Sequence, residues 1–288
     1  GTLYLSENCI GGVEPYSYQW EYSDNGEQWE LVSSAITPSY QPQSLQNSTY
    51  YRLKFISSEG CGVVYSNVES VHVYGKLQAV TISSDSSTYC YNAIPEPLYI
   101  ENQAVGADGN YINQWQISLN NEDWSDIIGE IGDTYQPTSL VQTTYFRVKT
   151  ISPLCSDTVF SHPFKITVYS MIHAGEISCD DNFVCYNSTA QLDFISQPVG
   201  GGGSYSYRWQ IASDSINFID IQGASSINYE TDSLTSQQIY RVIVSSTLGC
   251  AQDTTNELTI NVRQPFVPGT ITGNDTVCYD AIPGQLSL

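Results

Sequence analysis

Positive charge is what this 288-residue sequence has least of: nine Lys and Arg stand against thirty Asp and Glu, a net charge of −21. A surface that acidic repels phosphate backbones and anionic headgroups, which excludes nucleic acid as a partner. No apolar run approaches the ~20 residues that cross a bilayer as a helix, so membrane insertion is not expected. Met171 is the single methionine and the chain opens at Gly1, so the sequence reads as a processed or excised piece whose leader is already gone. Cys-x-x-Cys pairs and Cys/His clusters at zinc spacing are missing. So is helical periodicity. The three histidines, His72, His162 and His173, are too scattered to set a base against a nucleophile, so no catalytic residue and no enzyme is expected. What is abundant is apolar mass: 41% hydrophobic residues, with 22 Tyr and 5 Trp, enough for packed cores rather than disorder.

The chain repeats itself. Trp20 lies in Y-S-Y-Q-W-E, Trp115 in Y-I-N-Q-W-Q and Trp209 in Y-S-Y-R-W-Q, at steps of 95 and 94 residues. Trp29, Trp124 and Phe218 follow nine residues later, then Tyr40, Tyr135 and Tyr229, then Arg52, Arg147 and Arg241. A period of this length marks an array of similar domains. The units run 1–75 (lacking its first strand), 76–170, 171–264, and 265–288 (the opening strands of a further repeat). The piece reads as a window on a longer array.

Within a unit, runs of four to eight residues rich in Tyr, Val, Ile and Thr alternate in period two between Gly, Asn, Asp and Pro. In the second unit they predict strands at 98–103, 111–119, 126–128, 134–136, 144–151 and 164–169, after one near 87–91. Asn25-Gly26 predicts a hairpin between 16–23 and 28–32. The fold class is therefore all-β: tandem immunoglobulin-like β-sandwiches of about 95 residues arranged as a rod. Trp20, Trp115 and Trp209 are assigned to the core. Trp29, Trp124 and Phe218 are placed on the sheet edge, and the three arginines lie across the sheet with their heads on carboxylates. Tyr50 or Tyr51, Tyr145 and Tyr240 occupy the place of a tyrosine corner. Gly200–Gly203 precede no helix, so they read as a flexible loop rather than a phosphate cradle.

The eight cysteines point to an oxidising compartment. Cys90 to Cys155 and Cys185 to Cys250 are both spacings of 65 residues, which predicts the disulfides Cys90–Cys155 and Cys185–Cys250, each within one unit. Cys9 and Cys179 have no assigned partner. No cofactor is expected. The acidic residues near the unit boundaries, Asp85, Asp180, Asp181 and Asp275, are the candidate ligands for a junctional Ca²⁺.

The string Y-x-Y-Q-W-x-x-S-x-D-G-x-x-W, then Y-x-P-x-x-L-x-x-T-T-Y-Y-R-V, a Cys turn and S-N-x-V-x-I-x-V resembles the Ig-like/PKD-like tandem repeats of giant Bacteroidota cell-surface adhesins. These include gliding-motility adhesins exported by the type IX secretion system. The resemblance implies an extracellular, cell-surface filament segment that mediates attachment. Its partners would be extracellular surfaces or polysaccharide, and neighbouring repeats of the same chain. It also implies O-glycosylation at Asp-Ser/Thr-aliphatic triplets, which places candidate sites at Thr158, Ser215, Ser233 and Thr276, with Thr158 and Ser215 in expected turns. The alternative is a carbohydrate-binding or spacer module of a large secreted enzyme, with Tyr91, Tyr186 and Tyr279 as the sugar-stacking aromatics.

Overall fold

The computed structural model describes residues 1–60, 62–273 and 276–284, and every helix or strand among them is a strand. The first repeat carries β1 (Leu3–Tyr4), β2 (Ser17–Ser23), β3 (Glu30–Leu31), β4 (Ser39–Tyr40), β5 (Thr49–Ile56), β6 (Val63–Tyr65) and β7 (Glu69–Val71). The second carries β8 (Thr81–Ser83), β9 (Thr88–Cys90), β10 (Leu98–Asn102), β11 (Ile112–Ser118), β12 (Ser125–Asp126), β13 (Thr134–Tyr135), β14 (Thr144–Ser152), β15 (Asp157–Phe160) and β16 (Phe164–Tyr169). The third carries β17 (Glu176–Ser178), β18 (Phe183–Cys185), β19 (Gln191–Ser196), β20 (Tyr205–Ala212), β21 (Ile219–Asp220), β22 (Tyr229–Glu230), β23 (Gln238–Ser246), β24 (Gln252–Thr254) and β25 (Leu258–Arg263).

Two sheets form each complete repeat. In the second they run β13-β10-β8 and β12-β11-β14-β16-β9, with β15 also paired to β14; the third repeats this order strand for strand. The seven strands expected in the second repeat are present within two residues, while β8 and β15 were not anticipated. Both are short, and β15 occupies Asp157–Phe160, where a turn was expected around Thr158. The hairpin between β2 and β3 turns at Gly26 (φ +76°), with Asn25 Oδ1 accepting from the Glu27 and Gln28 amides; in the second repeat Asn121 (φ +63°) takes the glycine's place.

The chain divides into two compact units that do not follow the repeats. One comprises Gly1–Ser87, Glu96–Pro137 and Thr144–Ile166; the other comprises Thr88–Pro95, Thr138–Thr143 and Thr167–Leu288. In each repeat a tryptophan is packed between the sheets: Trp115 and Trp209 are fully buried and Trp20 nearly so. Its indole Nε1 donates to a carbonyl 17 residues on (Thr37, Gly132 or Ser226, at 2.9–3.0 Å). A second ring lies against it and a third against that, giving Trp20–Tyr40–Tyr51, Trp115–Tyr135–Phe146 and Trp209–Tyr229–Tyr240. The third ring comes from Tyr51, Phe146 and Tyr240, and Phe146 has no hydroxyl. A tyrosine corner is therefore not the shared device at that position, since the expected Tyr145 stands one residue earlier, aligned with Tyr50 and Ile239. Ring stacking is.

Trp115→Ala is expected to destabilise the second repeat by about 3–5 kcal/mol, the cost of a large cavity in a closed core. Urea melts followed by the remaining tryptophans would check it; a change under about 1 kcal/mol would mean the core collapses around the gap.

Candidate functional site

The cysteines define the first feature. Cys90 is bonded to Cys250, 160 residues along the chain, with Cα atoms 5.0 Å apart. Cys155 and Cys185 are exposed free thiols. The expected pairs Cys90–Cys155 and Cys185–Cys250 are thus both replaced. The reason is strand direction. β18 runs parallel to β25 with Cys185 opposite Arg263, so Cys185 lies where the last strand of its repeat finishes. β25 is antiparallel to β23, and Cys250 follows the far end of β23. The nine residues of β23 hold the two thiols roughly 30 Å apart. The second repeat has the same register, with Cys90 opposite Tyr169 at the end of β16. The early cysteine is at the trailing end of its own repeat and the late cysteine at the leading end, so a bridge joins one repeat to the next.

The segment after Tyr169 brings those ends together. His173 and Val199 exchange two backbone hydrogen bonds (2.8 and 3.0 Å), and the Gly201 amide donates to Ser170 O at 2.8 Å. Ile172 and Ala174 are buried in the third core, and the Ala174 amide donates to Asp253 Oδ2 at 2.9 Å. Gly200–Gly203 all have positive φ; the first three press on this segment and Gly203 on the Thr247–Leu248 turn. A Cβ at Gly200 would overlap the Met171 carbonyl, and one at Gly202 the Tyr169 ring. The run expected to be a flexible loop is a packed one, and glycine is needed for close approach. The first junction repeats the arrangement. Gln78 pairs with Val105, the Ala107 amide donates to Gly75 O at 2.7 Å, and a Cβ at Gly106 would overlap the Lys76 carbonyl. Tyr16, Tyr111 and Tyr205 hydroxyls brace these loops by donating to the carbonyls of Gly11, Gly106 and Gly200.

The second feature is an arginine held flat on the sheet face. The Arg52 guanidinium lies 4.2 Å from the Trp29 ring centre and 4.1 Å from that of Tyr65; Arg147 lies 4.2 and 4.1 Å from Trp124 and Phe160; Arg241 lies 3.8 Å from Phe218. In the first repeat the arginine head pairs with a carboxylate, Glu21, as expected. In the others Nε donates to the amide oxygen of Gln116 or Gln210 (2.7 and 2.8 Å), and that amide donates on to Asp126 or Asp220. Burial lowers the Arg147 pKa from its ordinary value, yet arginine stays charged. Trp29, Trp124 and Phe218 are therefore lids on a cation rather than plain edge packing. The shared step between the second aromatic and the arginine was the available signal.

Other expected residues are dispersed. Asp85, Asp180 and Asp181 are exposed, and Asp275 lies outside the described residues. Among the described residues no three His, Cys, Asp or Glu side chains gather as metal ligands. Thr158, Ser215, Ser233 and Thr276 are exposed; Thr158 lies on β15 rather than in a turn, and Ser215 on the turn before β21. Tyr91, Tyr186 and Tyr279 are 42%, 44% and 101% exposed.

A family profile described as "Domain of unknown function (DUF8696)" matches residues 1–75, 78–170 and 173–264. No curated protein matches the sequence. Among solved structures, the three N-terminal domains of the bacteriophage RB49 highly immunogenic outer capsid protein are 13% identical, covering 90% of this chain and 92% of theirs, at a TM-score of 0.34. Titin domains A168–A170 are 11% identical over 89% and 97%, at 0.36. The chicken CNTN1 FN1–FN3 domains are 14% identical over 86% and 88%, at 0.27.

Arg147→Lys keeps the charge but loses the planar stack between two rings, and is expected to cost about 1–2 kcal/mol in a urea melt. Asp214, at the β20–β21 turn, is held below the usual carboxylate range, chiefly by the Asn217 amide. Its contribution is therefore present above the unfolded aspartate pKa of about 4 and is lost as pH falls through the lower folded value. The Asn217 amide shift in an NMR titration should move below that pH, and Asp214→Asn should abolish the movement.

Proposed function

We propose, for a chain that belongs in each of its three repeats to the DUF8696 family of domains of unknown function, a structural role as a spacer in a long extracellular surface protein of adhesin type. The observation that carries the reading is what recurs. The Trp–aromatic core and the arginine stack return in every repeat, and the glycine-braced junction returns ahead of both complete repeats, as parts that hold domains together would. The histidines and acidic clusters do not, so the chain is read as non-enzymatic. A bridge between repeats belongs with an oxidising, extracellular setting. Attachment to surfaces or polysaccharide, and a place in gliding motility as type IX cargo, follow from the resemblance in repeat sequence. Recognition would then lie in the sum over many repeats or in other domains.

A specific observation favours a second reading. Tyr91 and Tyr186, each next to an early cysteine, present much of their rings to solvent, as a sugar-stacking accessory module requires. Glycan-array and polysaccharide pull-down measurements on the whole chain separate the two. The spacer reading expects no binding at about millimolar ligand, the weak end of specific affinity. Binding that Tyr91→Ala and Tyr186→Ala abolish would replace it with the accessory module.

A further inference from the structure

Cys155 and Cys185 are exposed thiols at positions equivalent to the two halves of a formed bridge. Cys185 ends β18 beside Arg263 as Cys90 ends β9 beside Tyr169. Cys155 follows β14 as Cys250 follows β23. We propose that they are open halves of the same cross-repeat disulfide, in which the early cysteine of each repeat bonds the late cysteine of the repeat that follows it in the same chain. Cys185 takes a late cysteine from a repeat beyond it, and Cys155 an early cysteine from the strand equivalent to β9 in a repeat before it.

A separate observation points to the occupant. Leu77 and Ile172, which follow the last strands of the first and second repeats, are buried (2% and 3% exposed): Ile172 packs in the third core, and Leu77 precedes Gln78, which pairs with Val105 of the second repeat. Phe266 holds the same place after β25 and is 97% exposed, with Val267 beside it at 77%. The trailing end of the third repeat thus presents both the thiol and the apolar residue that a following repeat covers at the other junctions. The partner is therefore a repeat of this family, carrying a glycine loop to receive Phe266 and a late cysteine to receive Cys185.

Closing each bridge joins two sulfurs as two thiols lose two protons and two electrons. The electrons pass to an oxidising disulfide, such as oxidised glutathione, which leaves as two thiols. The reaction needs only proximity, and Cα atoms 5.0 Å apart at the formed bridge fall within the required range.

The test uses the whole chain lengthened by one repeat: a copy of 171–264 inserted after position 264, folded in a glutathione redox buffer, alkylated, and digested without reduction for mass spectrometry. Cys185 should lose its alkylation and appear in a reducible peptide with the late cysteine of the inserted repeat, while Cys90–Cys250 persists and shows that the fold is intact. The same insertion with that late cysteine changed to Ser should leave Cys185 fully alkylated. A copy of 76–170 inserted ahead of Lys76 should likewise capture Cys155 through its early cysteine. The proposal is overturned if Cys185 stays alkylated in the lengthened chain, bonds within its own repeat, or bonds a second molecule. It is also overturned if Cys90 is recovered with Cys155.

Discussion

A strand that lies parallel to its neighbour cannot be reached by a hairpin; the chain must cross over to it. In the complete repeats that crossing is made at once. β8 pairs with β10 in one sheet, and a few residues later β9 pairs in parallel with β16 in the other. The third repeat does the same with β17 and β18. The rest of the junction follows from this switch. It carries the early cysteine away from the end at which the chain came in and sets it beside the last residue of the closing strand. The linker leaves from that point, so the thiol faces the next repeat. The glycine loop, the paired backbone of His173 and Val199 and the buried Ile172 then fix the next repeat's leading end against it.

The sandwich core was legible in the sequence because it is written in absolute spacings. A ring at Trp20, another at Tyr40 and a third at Tyr51 return at the same offsets, and period-two alternation turns each to the inner side of its strand. The disulfide was not legible, for a reason that belongs to any periodic chain. Cys90 and Cys155 are 65 residues apart and Cys90 and Cys250 are 160, a difference of one repeat. Equal spacings arise whether bridges close within a repeat or step to the next. Only strand direction chooses between them, and β8, three residues long, is the element whose omission hid the crossover.

Composition misleads about the glycine run for a related reason. Glycine serves where the chain is loose and also where two backbones approach too closely for a Cβ, and residue type alone does not separate the two. Position does. A glycine follows Ile10, Val105 and Val199, and in the two complete repeats it touches the carbonyl of the preceding linker. The first and last glycines of Gly200–Gly203 bracket contacts to the linker and to the Thr247–Leu248 turn, so the run is closed on two sides.

The scarcity of cations takes on a meaning once the arginines are placed. Of nine Lys and Arg, three arginines lie flat between or over rings, with their stems on the sheet and their charge shared with Glu21 or passed through a glutamine to Asp126 or Asp220. Little positive charge remains to offset the carboxylates outside. Like charges in water repel over about 8 Å at physiological salt. An acidic chain whose domains touch must therefore hold them by forces that salt and charge do not weaken. Buried apolar linker residues, close-packed glycine backbone and a covalent sulfur bridge are forces of that kind, and they are what the second junction contains.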